Sequence, residues 1–154
     1  MKKEYFKTPS ASHVYLMRRF DGKVQVLLQL RQNNWKAGYW DASAAGHVDE
    51  DECMTSCMIR EAREEIGVEI DNKDVDFIVT MHSNFKGEGG AIYYDVFFFV
   101  EKWKGEPRIS EPDKIAELKW FDVDGLPENI LQDRKKAIQN YRDGIHYSEY
   151  GWDK

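Results

Sequence analysis

The stretch "GHVDEDECMTSCMIREAREEIGV", residues 46–68, decides how this chain is read. It crowds acidic residues around one predicted helix, about 52 to 66, followed by Gly67, which suits a left-handed C-terminal cap. At about 100° per residue, Glu64 and Glu65 fall about 60° to one side of Glu61 and about 40° to the other. The three carboxylates therefore share one face at i, i+3 and i+4. Met58, Ile59, Ala62 and Ile66 form a separate stripe centred roughly 120° away, the expected core contact. Carboxylates this close raise each other's pKa unless a cation compensates. A hard dication with oxygen ligands answers that need, and magnesium fits best because it also takes substrate phosphates. Arg60 reaches Glu64 at i+4 or helps orient Glu61, and Glu52 lies at the helix start, where the macrodipole favours negative charge. An ordinary solvated acidic face is the alternative for any helix with three glutamates.

Around this helix the chain alternates strand and helix signals. "HVYLMRRFDGKVQVLLQLR" (13–31) reads as two strands about an Asp21-Gly22 hairpin turn. "QNNWKAGYW" (32–40) is a loop, and "DASAAGHV" (41–48) is small enough for close packing or ligand approach. Strands are expected over 75–83, 91–103 and 118–123, a Pro- and charge-rich loop over 104–117, and an amphipathic helix over 130–144. The aromatic tail from Ile145 carries no assignment. The pattern is α/β, with helices covering a mixed sheet. A length of 154 residues fits one domain, 1–154.

The net charge of −6 argues against affinity for a nucleic-acid polymer, while leaving open a nucleotide bridged by a cation. Cys53 and Cys57 lie four apart in the helix, a poor geometry for a disulfide. With no secretion signal in "MKKEYFKTPSAS", they read as reduced thiols of a cytoplasmic protein. No segment reaches the roughly 18 apolar residues of a membrane span.

From Gly46 the fixed positions run: five residues, Glu52, seven residues, then Arg60-Glu61-Ala62-Arg63-Glu64-Glu65-Ile66-Gly67-Val68. This resembles the Nudix box at every fixed position, and the later "ELKWFDVDGLP" segment is also similar to that family. The resemblance implies an α/β/α sandwich around a mixed sheet and a magnesium-dependent hydrolase (manganese in its place) of a nucleoside diphosphate linked to another group. It implies Glu61, Glu64 and Glu65 as metal ligands with the Gly46 carbonyl, Arg60 holding a glutamate in place, and Glu52 supporting the site. Dimers are common among relatives, so a homodimer is compatible with it.

The general base differs among subgroups. Glu64 and Glu65 are candidates within the box, and Glu111, Asp113 and Glu117 in the later acidic loop. Arg31 is a candidate phosphate grip, with a surface salt bridge as its alternative. Trp35, Tyr39 and Trp40 are candidates to stack on a base, against a place in the core. His47 is placed to touch a phosphate or to make a structural hydrogen bond, and His82 and Phe85 to edge the pocket.

A nonstandard or oxidised nucleoside triphosphate fits the short chain. ADP-ribose, a nucleotide sugar or a dinucleotide is the alternative, though many ADP-ribose hydrolases carry a longer N-terminal dimerisation region. The "WDASAAGHVDEDE" segment is also similar to the isopentenyl-diphosphate isomerase branch, but that branch needs a cysteine before the box and none precedes Cys53. A nucleotide-binding sensor that does not cleave is the non-enzymatic alternative. The intact carboxylates argue against it.

Overall fold

The computed structural model describes residues 1–153. Strand β1 (Ser10–Phe20) and strand β2 (Lys23–Arg31) form the expected hairpin, with both turn residues at positive φ, Asp21 at 53° and Gly22 at 75°. Two successive left-handed residues give the turn whose twist matches the flanking strands. Short strands β3 (Trp40–Asp41) and β4 (Ala44–His47) lead into helix α1 (Met54–Ile66). Strands β5 (Val75–Asn84), β6 (Ile92–Val100) and β7 (Ile115–Asp122), helix α2 (Gln132–Asp143) and strand β8 (Tyr147–Tyr150) complete the chain.

The eight strands form one mixed sheet in the order β3-β2-β1-β6-β5-β8, with β4 pairing β1 and β7 pairing β2. The β1–β6 and β5–β8 pairs are parallel and the others antiparallel. Strand β1 joins the two halves. Its first residues lie between β4 and β6, and Met17–Phe20 pair with β2.

Alternation along β1 separates two cores. Val14 and Leu16 pack with Met58, Ala62 and Ile66 of α1, while Tyr15 and Met17 pack with Ala137 and Ile138 of α2. Strand β6 divides likewise, with Val96 and Phe98 toward α1 and Phe97 toward α2. This is the expected α/β/α sandwich. Fully burying a side chain such as Phe97 contributes roughly 1.5–3 kcal/mol.

Helix α1 ends as expected at Gly67, whose φ of 69° lets its N–H bond Arg63. It starts at Met54, so Glu52 lies just before the helix rather than in it. The loop expected over 104–117 gives way at Ile115, because β7 pairs with β2 from Arg31 onward, and Glu117 sits in that strand opposite Leu30. The tail forms β8, whose partner β5 is remote in sequence. A four-residue strand is too short to announce itself by periodicity.

Candidate active site

Helix α1 lies over β4, which is held by the Ser12–Gly46 pairing to β1. Glu61 fills the space above Gly46, where an ideal β-carbon would stand 2.2 Å from its Oε1. One turn on, Glu65 is buried and accepts hydrogen bonds from Gln29 Nε2 at 2.9 Å and the Ala45 N–H at 3.2 Å. Burial pushes its carboxyl up to about 9. The Gln29 bond opposes that shift and the neighbouring Glu61 adds to it. Glu64 is half exposed and meets Arg60 at 3.2 Å.

Arg60 ties the segment together. Its Nε and Nη2 grip both oxygens of Glu52 at 2.8 and 2.9 Å, and Nη1 donates to Glu61 at 2.8 Å. The bond from Arg60 is the main cause holding Glu52 down at about 2, helped by the Asp49 N–H. Arg60 is correspondingly held protonated, first by its bond to Glu52. Cys57 is buried, and burial foremost pushes its thiol up to about 12, so it is a poor nucleophile at neutral pH. Its Sγ–H points at the Gly46 and His47 carbonyls, 3.6 and 3.4 Å away, while Cys53 is exposed.

A cleft of about 610 Å³ opens beside this face, lined by Gly46, Glu61 and Glu65 at one end and by Arg31, Trp35 and Phe85 at the other. His47 and Tyr93 line it between them, joined at 2.9 Å. Arg31 is engaged by protein partners: Asp41 at 2.9 Å, the Trp35 carbonyl and Asn33, both at 2.8 Å. Asp41 is buried between Arg31 and Arg134, whose Nε lies 2.8 Å away. Burial works against its charge, but the two guanidiniums prevail and lower it to about 2. Arg134 also pairs with the buried Asp133.

The structure thus brings Gly46, Glu61, Glu65, Arg31 and His47 to one cleft, with Arg60 and Glu52 bracing it from behind. Glu64 stays on the outer side. Trp40 is not at the cleft. It is buried edge-on against Phe121, because β3 carries it into the α2-side core, and Tyr39 is exposed. Glu111 pairs with Lys114 at 3.4 Å and Asp113 is exposed, and neither lines the cleft, nor does Glu117. His82 stacks on Tyr94 away from the cleft, while Phe85 lines it.

Sequence reasoning missed Gln29, Asp41, Lys114 and Arg134, along with His13 and Asp95 of the floor. For Asp95 a signal existed, since it interrupts the otherwise apolar run AIYYDVFFFV, whereas His13 stands at the start of its run.

Among the described residues, no three His, Cys, Asp or Glu side chains already converge on a point that would hold an ion. The chemistry nevertheless fits a hard dication. Two adjacent carboxylates, one forced to keep its proton by burial, crowd a backbone that only glycine allows.

The NUDIX domain family matches residues 7–141. Among curated relatives, the chain is 26% identical over 125 residues to an NAD-capped RNA hydrolase NudC of Stutzerimonas stutzeri, covering 80% of this chain and 40% of that protein. It is 31% identical over 118 residues to the NudC of Pseudomonas aeruginosa, covering 77% and 38%. The chain therefore spans about two-fifths of the length of these relatives. Among solved structures, it resembles a MutT NUDIX hydrolase from Burkholderia pseudomallei, with a TM-score of 0.77, 24% identity, and coverage of 88% of this chain and 98% of that one. It also resembles the NUDIX domain of Shewanella oneidensis NrtR crystallised with ADP ribose, with a TM-score of 0.72, 18% identity, and coverage of 92% and 90%. With the box residues gathered as described and the family matched over most of its length, the chain belongs to the Nudix family.

Proposed function

We propose that this chain is a magnesium-dependent Nudix hydrolase, acting as one domain, that cleaves a diphosphate bond in a nucleoside di- or triphosphate derivative, with nonstandard or oxidised triphosphates the leading class. The observation that carries this reading is the packing of Glu61 and Glu65 against the Gly46 segment beside a cleft, with the Arg60 fork bracing it from behind. A volume of about 610 Å³ suits a ligand of nucleotide size.

Glu61, Glu65 and the Gly46 carbonyl would hold the dication, with Glu64 joining from the same face of α1. When bound, the ion supplies positive charge against the diphosphate oxygens and acidifies water. Glu64, solvent-facing and lightly held, is the candidate to take the proton from the attacking water, and Glu65 is the alternative. Arg60 positions Glu61 and Glu64, and Glu52 anchors Arg60. Arg31 gives three of its five donors to the protein, which orders Trp35, and its remaining donors at the cleft would be offered to a phosphate. His47, exposed and held on Tyr93 in the cleft, would exchange that bond for one to a phosphate.

A dinucleotide or ADP-ribose substrate is the second reading, supported by the names of the NudC relatives and the NrtR ligand. An isomerase acting through Cys57 is disfavoured by that thiol's burial. The proposal includes manganese as a working substitute, a cytoplasmic location and a homodimer, the last checked by sedimentation.

A screen of nucleoside triphosphates, nucleotide sugars, ADP-ribose and dinucleotides with magnesium, products resolved by mass, tests the reading. Glu64→Gln or Glu65→Gln lowers turnover by at least roughly a hundredfold without unfolding the chain. A folded, fully active double variant, or saturable binding with no magnesium-dependent product, contradicts it.

A further inference from the structure

Three buried polar atoms have no hydrogen-bond partner among the described residues: Nδ1 of His13, Oγ of Ser83 and Oδ2 of Asp95. They stand together. Asp95 of β6 lies beside Ala11 of β1 and opposite Met81 of β5. With side chains alternating along each strand, His13, Ser83 and Asp95 therefore share one face on three adjacent strands. His13 Nε2 and Asp95 Oδ1 are 2.8 Å apart, and both residues line the cleft.

Below the trio the same face is apolar, with Tyr15, Phe97 and Met81 fully buried. Toward the mouth come Tyr93 and Phe85, with Trp35 edge-on to Phe85 at 6.1 Å. The cleft thus ends in a polar floor beneath aromatic walls. Native folds rarely leave buried polar atoms unpaired, and three in one place call for a ligand or water that brings complementary groups.

The chemistry of the floor restricts that ligand. Burial opposes charge on Asp95, but the bond to His13, the Arg134 cation and the nearby Ser83 hydroxyl, which lies outside hydrogen-bond geometry, favour the carboxylate. An ionised carboxylate only accepts hydrogen bonds, so the group meeting Oδ2 must donate one. His13 cannot swing away to supply it, because its ring is stacked on Phe97 at 4.4 Å.

We propose that Asp95, held in place by His13, is a specificity-determining residue that reads an exocyclic amine on the nucleobase, so that the cleft prefers amino-bearing bases to the same bases without the amine. This rests on the nucleotide reading of the same cleft and deepens it. It predicts that the base is recognised at the floor independently of the ion and the phosphates.

The test measures binding of free nucleosides to the metal-free protein by the fluorescence of Trp35 and its neighbours. Guanosine is compared with inosine, and adenosine with purine riboside, each pair differing by one amine. In the wild type, removing the amine from the better ligand weakens binding by about tenfold or more, as expected for a hydrogen bond to a charged group. In Asp95→Asn the difference falls to less than about threefold, with the melting curve reporting the fold. Ser83→Ala is the second variant. It leaves Asp95 Oδ2 to the ligand and keeps the amine dependence.

A wild type indifferent to the amine overturns the proposal and assigns the trio to internal water. Equally fatal are a folded Asp95→Asn that keeps the wild-type difference and a Ser83→Ala that loses it. Hydrolysis measured in parallel separates the two readings. Amine-dependent binding without any hydrolysis sinks only the proposed activity, and hydrolysis without amine dependence sinks only this inference.

Discussion

Glu61 Oε1 occupies the space that a side chain at residue 46 would need, 2.2 Å from where the β-carbon of any other residue would lie. Glycine at 46 therefore makes room for the carboxylate above it, and its own backbone angle does not demand it. Gly46→Ala forces Glu61 off its position. Turnover is expected to fall roughly a hundredfold, the scale of a 1 Å misplacement, while circular dichroism remains that of the wild type. An alanine variant with normal kcat would show that the position of Glu61 does not matter.

Arg60 makes a fork on Glu52 and a third bond to Glu61, which a lysine cannot reproduce from a single ammonium. Arg60→Lys is expected to lower kcat about tenfold or more and to change stability by less than about 1 kcal/mol, because the cluster is partly solvated. Paired kinetics and urea melts measure both, and a loss confined to stability would contradict a positioning role.

The acidic helix was legible because its spacing is local. Glu61, Glu64 and Glu65 share a face by helix geometry alone, and Gly67 marks the helix end. Glu65 was legible as a site residue but not as a buried one. Its burial comes from Gln29 and Ala45, which reach it through sheet pairing that no local pattern encodes. The surroundings of Trp40 and Arg31 were not legible for the same reason. A two-residue strand carries Trp40 into the core, and Asp41 beside it captures Arg31.

Burial holds the Glu65 proton well above its ordinary pKa of 4.5, to about 9. The folded metal-free protein therefore keeps a proton that the unfolded chain has released between those values. Stability from this group is full below about pH 4.5 and is lost as pH rises toward about 9. The melting temperature of the metal-free protein is expected to fall across that window by at least roughly 2–4 °C, equivalent to about 1 kcal/mol. Glu65→Gln flattens the slope, and magnesium raises the melting temperature more at pH 9 than at pH 6, because ligands must be deprotonated. A flat wild-type profile would contradict the burial.

Asp41 runs the other way. Arg134 and Arg31 overcome its burial and hold it at about 2, so its contribution is present above the ordinary value of 3.8 and disappears as pH falls through 2. That loss is about 2 kcal/mol. Removing the cation instead, in Arg134→Met, strands the buried Asp133 and leaves Asp41 with Arg31 alone, and is expected to destabilise by about 3–5 kcal/mol. Adding Asp41→Asn to that variant recovers part of the loss, measured by urea midpoint. Full additivity of the two changes would show that the pair is not coupled.

The proposed seat of a dication on α1 is tested most directly by titrating manganese into the protein, followed by electron paramagnetic resonance, with and without a nonhydrolysable nucleotide. Saturable binding is expected in the wild type, tightened by the nucleotide and abolished in Glu61→Gln/Glu65→Gln. Unchanged manganese occupancy in that folded double variant, or none in the wild type, would contradict the account.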